Sequence, residues 1–162
     1  MINRPKGFNE IIRVFGDPLP YVQNKQAWED KILITKKLPH GIPYAGDPKI
    51  TITKIRTHFL LIDEFIDAIE ECLDLGVPPD RLVYGGIYSY RLKRGMSKIS
   101  THTFGIAIDI DPARNPLGKQ WAGCKSDMMH PLIIKNFEKR GFVWGGRWKR
   151  PDPMHFQFAT GY

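Results

Sequence analysis

The stretch that decides the fold is Ser100-Thr101-His102-Thr103-Phe104-Gly105-Ile106-Ala107-Ile108-Asp109-Ile110. Side chains of a strand alternate between its two faces, so Ile106, Ile108 and Ile110 share one face and must be core. Ala107 and Asp109 share the other, and a carboxylate beside a small alanine leaves room for something to approach. His102 precedes Asp109 by seven residues, an odd number that a straight strand would place on opposite faces. Gly105 permits a bend that brings His102 round to the side of Asp109. An imidazole and a carboxylate that converge are two of the three protein ligands of a catalytic zinc site. A structural histidine in a loop and a surface aspartate at a strand end explain the same residues about as well.

Outward from this strand, Pro131 to Arg140 reads as a helix, with proline at its start and Gly141 just past its end. His155-Phe156-Gln157-Phe158 alternates as a final strand, with the phenylalanines on the core face and His155 and Gln157 on the other. Asp152 lies three residues before His155, at the bend Pro151-Asp152-Pro153. His155 is the natural third ligand. Asp152 is close enough to take a proton from a metal-bound water without being a ligand. Taken singly, a turn aspartate and a lone strand histidine are unremarkable; beside His102 and Asp109 they are not.

On the N-terminal side, Leu82 to Tyr88 reads as a strand followed by a basic loop. Ile55, Phe59, Ile62, Ile66, Ile69 and Leu73 step by four and three, which predicts one long amphipathic helix closed by Gly76, Pro78 and Pro79. Phe8 to Phe15 predicts a short helix, Lys31 to Thr35 a strand, and Pro39 to Asp47 a loop. The order β, α, β, β, α, β does not repeat as βαβ units. It predicts an α+β fold: a small, mostly antiparallel sheet with helices packed on one side.

At 162 residues, one domain over 1–162 is expected, with 1–50 as a wrapping N-terminal segment and 51–162 as the catalytic core. A domain of this length buries roughly 70% of its unfolded surface, so it needs no staples. Its 42% hydrophobic and 25% charged residues exclude a fibrous or mostly disordered chain. No apolar run is long enough to cross a membrane, and Met1 to Gly7 lacks the apolar centre of a signal peptide. Two cysteines, Cys72 and Cys124, make no disulfide framework, although one bridge between them is open. The net charge of +7 implies an anionic partner or a need for solubility. Acids crowd one helical segment (Asp63, Glu64, Asp67, Glu70, Glu71, Asp74). Bases crowd two others: Arg91, Lys93, Arg94 and Lys98, then Arg147, Lys149 and Arg150. His40, His58 and His130 read as surface or capping residues rather than ligands.

The motif Ser100-x-His102-x-x-Gly105-x-Ala107-x-Asp109, followed downstream by Asp152-x-x-His155-Phe156, resembles the zinc D-alanyl-D-alanine carboxypeptidase and L-alanyl-D-glutamate endopeptidase family. That family includes vancomycin-resistance peptidases and phage endolysins and shares its fold with hedgehog signalling domains. Gly141 to Trp148 is similar to the family's segment before the last motif, and the resemblance covers about residues 80–158 well. It implies a hedgehog/DD-peptidase-like fold, with Zn2+ held by His102, Asp109 and His155 and with Asp152 as general base. Arg91 matches the arginine that faces the developing oxyanion or a substrate carboxylate, with Arg94 as its rival. Ser100, Trp144 and Trp148 fall to substrate binding. Many relatives carry aspartate where Arg147 stands, so the local charge is reversed here.

These expectations add up to a zinc metallopeptidase acting on peptidoglycan stem peptides. An L-alanyl-D-glutamate endopeptidase of the endolysin type comes first, and a D-alanyl-D-alanine carboxypeptidase is the alternative. The expected protein is a monomer, made in the cytoplasm of a phage-infected host without a signal peptide and acting on the cell wall after release. A zinc-binding module without turnover is a second class, disfavoured because Asp152 is present. A basic nucleic-acid binder is a third. It lacks any ribonucleoprotein or finger spacing, so no nucleic-acid partner is expected, and a gel shift would test it.

Overall fold

A computed structural model describes residues 2–93, 95 and 97–162. Arg94 therefore lies outside the described residues. The helices are α1 (Gly7–Phe15), α2 (Lys25–Ile32), α3 (Ile62–Asp74) and α4 (Pro131–Lys139). The strands are β1 (Leu33–Tyr44), β2 (Asp47–His58), β3 (Tyr84–Gly86), β4 (Ala107–Ile110), β5 (Val143–Trp144) and β6 (His155–Gln157). They form one six-stranded sheet in the order β2-β1-β3-β4-β6-β5. Every neighbouring pair is antiparallel except β1 and β3. The α+β class and the mostly antiparallel sheet are as the sequence predicts. No helix among the described residues is long and apolar enough to cross a membrane.

Three local predictions differ from the structure. The stripe from Ile55 to Leu73 is not one helix: Ile55 belongs to β2, Phe59 is exposed in a turn, and α3 starts at Ile62. The run Ile50-Thr51-Ile52-Thr53 is β-branched and alternates, and that strand signal outweighs a helical period that Ile55 satisfies by coincidence. Residues 39–44, expected as loop, continue β1. Pro39 lies in, and Pro43 beside, stretches where the β1–β2 register shifts, where a missing N–H is tolerated. Lys31 and Ile32, expected to open a strand, instead close α2, whose first turn is capped by the Asn24 side chain, which accepts from Ala27 N at 3.1 Å.

The core lies between the sheet and α3 and α4. Ile108 pairs with Phe156 across β4 and β6, and Phe156 packs on Phe137 of α4 with ring centroids 4.7 Å apart. Three acidic residues of α3, Glu64, Asp67 and Glu71, serve the helix pair, while Asp63 and Glu70 pair with Lys36 and His40 of β1. Arg140 reaches Glu64, Asp67 and Glu71, Lys139 reaches Glu71, and Asn136 Nδ2 donates to Ala68 O at 2.7 Å. The two chain ends meet: Gly7 N donates to Thr160 O, Thr160 N to Pro5 O, and Phe8 stacks on Tyr162. Cys72 is buried, Cys124 is exposed, and both thiols are free.

His58 is not on the surface. It is buried at the end of β2, where its Nε2 lies 3.2 Å from Phe15 O and its Nδ1 accepts from Leu60 N. The carbonyl can only accept, so Nε2 carries the proton and the ring is neutral. Burial pushes its pKa from 6.5 down to about 4. The unfolded chain takes up this proton below pH 6.5 and the folded one only near 4. Stability therefore falls as pH drops through that window, by about 3 kcal/mol in all. Urea unfolding of wild type and His58→Asn between pH 7 and 4 checks this: the wild-type stability has the steeper slope.

Candidate metal centre

Strands β4 and β6 run antiparallel with Asp109 opposite His155 and Ile108 opposite Phe156. Since Ile108 and Phe156 face α4, Asp109 and His155 face away from it. The third group arrives by a turn. Residues 101–104 form a 3-10 turn capped by the Ser100 hydroxyl, which accepts from His102 N at 3.3 Å. Gly105 then takes φ 64° and ψ 29°, the left-handed region, and a Cβ there would lie 2.8 Å from His58 N. This is the bend the sequence asked of Gly105, and it carries His102 to the face of Asp109.

The three side chains meet. His102 Nε2 lies 3.2 Å from His155 Nδ1 and 3.3 Å from Asp109 Oδ1. His155 Nδ1 lies 3.0 Å from the same oxygen. The outer nitrogens set the tautomers. His102 Nδ1 lies 2.7 Å from Ile87 O, which can only accept, so Nδ1 carries the proton. His155 Nε2 lies 3.1 Å from Gln157 Oε1. Gln157 donates its Nε2 to Ala159 O and receives Thr101 Oγ1 on Oε1, so that oxygen accepts from His155 as well. In the neutral rings the two inward nitrogens are therefore lone pairs, turned on each other and on a carboxylate. A cation satisfies all three at once. Three atoms each about 2.0–2.1 Å from a tetrahedral zinc lie about 3.3 Å apart, which this triangle matches. Among the described residues, these are the groups so placed to hold a metal ion.

The same contacts shift the titration of the carboxyl and of one imidazole. Burial pushes the Asp109 carboxyl up, but the hydrogen bonds and charges of His102 and His155 outweigh it and hold it well below the usual carboxylate range. Burial pushes His155 down, and the hydrogen bond and charge of Asp109, with the charge of Asp152, outweigh it and raise it. Gln157 and Thr101 orient the His155 ring, a role the sequence reading missed although Gln157 shares the face of His155. Ring orientation of this kind is worth about 10–100-fold in metal affinity. Gln157→Leu is expected to weaken metal binding by that factor, read by competition with a chromophoric chelator.

The triad opens on a cleft of about 260 Å³ whose walls include Arg91, Ser100, Trp148, Arg150, Asp152 and Met154. Asp152 stands at the start of a turn in which His155 N donates to Asp152 O at 3.0 Å and Asp152 N to Gly145 O at 2.9 Å. A Cβ on Gly145 would lie 2.6 Å from Asp152 O, so only glycine lets the 145–147 turn pack here. Arg91 lines the cleft, and Thr103 Oγ1 clamps its backbone, accepting from Arg91 N at 3.0 Å. The Trp148 ring lies 5.5 Å from that of His155.

Trp144 does not line the cleft, contrary to the sequence expectation. It pairs with Phe156 across β5 and β6 and so faces the core, 2% exposed, with its Nε1 donating to Pro153 O at 2.8 Å. Its part is to brace the bend that carries Asp152. Arg147 also points elsewhere, to Glu138 and over the Trp144 ring. Its reversed charge therefore does not face the cleft. His130 caps α4 through Leu132 N, and His40 pairs with Glu70 at the surface.

Residues 94–158 match a family model described as D-alanyl-D-alanine carboxypeptidase. The match takes in His102, Asp109, Asp152 and His155, though it spans less than half the chain. It supports, at the level of the family, a metal-dependent peptidase. No curated protein matches the chain.

Proposed function

We propose that the protein is a zinc peptidase that hydrolyses amide bonds in peptidoglycan stem peptides, with His102, Asp109 and His155 holding the ion. The observation that carries this reading is the triangle of inward electron pairs on His102 Nε2, Asp109 Oδ1 and His155 Nδ1, opening on a cleft that Asp152 also lines. Zinc in that position supplies a Lewis acid for water and for an amide carbonyl.

The protein's own groups do the rest. Asp152 takes the proton of the attacking water on its carboxylate and passes it to the leaving amine nitrogen. Its turn is shared with His155, which keeps base and ligand in fixed relation. Arg91 is a cation at the cleft wall, suited to the negative charge that grows on the amide oxygen. Ser100 accepts from His102 N and so keeps its own O–H for the substrate. Trp148 walls the cleft beside His155 and excludes water.

Within this reading the scissile bond is L-alanyl-D-glutamate, inside the stem. The description of the matching family model favours a second bond, the terminal D-alanyl-D-alanine. Mass spectrometry of digested murein separates the two. New N-terminal D-glutamate peptides support the endopeptidase, released D-alanine supports the carboxypeptidase, and no new ends from the zinc-loaded protein contradict both.

A further inference from the structure

The cleft has a basic rim that neither the metal triad nor Asp152 requires. Lys93 and Lys98 both line it, on two paired stretches of chain. Lys93 N donates to Lys98 O at 2.8 Å, Leu92 pairs with Ile99, and Ser100 N donates to Arg91 O. Both ammonium groups converge on the chain's last aromatic ring. Lys93 Nζ lies 3.8 Å from the Tyr162 centroid and Lys98 Nζ 5.9 Å. That ring is a fixed plate: its hydroxyl donates to Ile99 O at 2.6 Å, and it stacks on the ring of Phe8 at 5.4 Å.

Two cations set against one ring repel, and no ion pair among the described residues joins either to a carboxylate. The strain shows on Lys93, whose ammonium is pushed from 10.5 down to about 8 by burial and by the charge of Lys98. The π face of Tyr162 offsets part of this cost. An anion between the two would offset the rest. Arg150 lines the same cleft and adds positive charge.

We propose that Lys93 and Lys98, held over Tyr162, form an anion subsite at the rim of the cleft that grips a carboxylate of the substrate and selects acidic peptides over their amides. This deepens the peptidase reading and rests on it. The carboxylate has two possible sources: the free carboxylate of a D-glutamate that follows the scissile bond, or the C-terminal carboxylate of a D-alanine.

The test uses zinc-loaded full-length protein and two matched substrate pairs. In one pair the D-glutamate carboxylate is free or amidated, and in the other the C-terminal D-alanine carboxylate is free or amidated. For the pair that carries the true contact, kcat/KM for the acid exceeds that for the amide by about tenfold, mostly through KM. The pair that discriminates names the source. In the Lys93→Gln/Lys98→Gln double variant this ratio falls to about one, and in Lys93→Arg/Lys98→Arg it persists. A ratio of one in wild type for both pairs, or one untouched by the glutamines, overturns the subsite while leaving the peptidase reading in place. If wild type turns over no substrate, the peptidase reading fails, and titration with glutarate then decides the subsite alone. Saturating shifts of the Tyr162 ring resonances that vanish in the double glutamine variant uphold it, and their absence overturns it.

Discussion

Asp152→Asn is expected to lower hydrolysis of murein peptides by about a thousandfold while the protein still binds one zinc per chain. General acid–base catalysis contributes about 10²–10⁴ in rate, and an amide cannot take the proton. The substitution is close to isosteric. The backbone turn that joins residue 152 to His155 and Gly145 uses main-chain groups only, so it survives. The metal triangle is built from other side chains and survives too. Steady-state kinetics beside metal analysis of the dialysed variant checks both halves. Wild-type turnover in Asp152→Asn would remove Asp152 from the role of base, and lost zinc would make it a ligand instead.

The second large effect is at Asp109. Asp109→Asn is expected to drop the zinc content of dialysed protein from about one per chain to near zero, and turnover with it. The variant should still fold, because the new amide N–H₂ can donate to the ring nitrogens that Asp109 Oδ1 now approaches at 3.0 and 3.3 Å. Metal binding to the native state alone stabilises it by about 4 kcal/mol at a thousandfold excess over Kd. A chelator should therefore lower the melting temperature of wild type and leave that of Asp109→Asn where it is. A variant that keeps its zinc would mean the ion sits elsewhere.

What the sequence made legible is local. The alternation of Ile106, Ile108 and Ile110 fixed the face of Asp109, and Gly105 was the residue able to turn His102 onto it, as its positive φ bears out. Asp152 and His155 lie within one turn of each other, so their nearness needed no knowledge of the fold. What was not legible depends on partners distant in the chain. Trp144 reads as a groove residue until β5 pairs with β6, a register that puts it on the side of Phe156. Pro39 and Pro43 read as loop because the bulges that accommodate them are made by β2. Helix α2 carries only Trp28 and Ile32 on its buried side, one turn apart, too brief a period to see. The meeting of Lys93 and Lys98 with Tyr162 is tertiary, since it brings the chain's last residue to two paired stretches some seventy residues earlier.

The account turns on a single cation among three side chains, and X-ray diffraction from zinc-loaded crystals, measured at the zinc absorption edge, tests it most directly. The account predicts one anomalous peak bonded to His102 Nε2, an Asp109 oxygen and His155 Nδ1 at about 2.0–2.2 Å. No peak there, with the two imidazoles and the carboxylate still turned on each other in the presence of zinc, would contradict it.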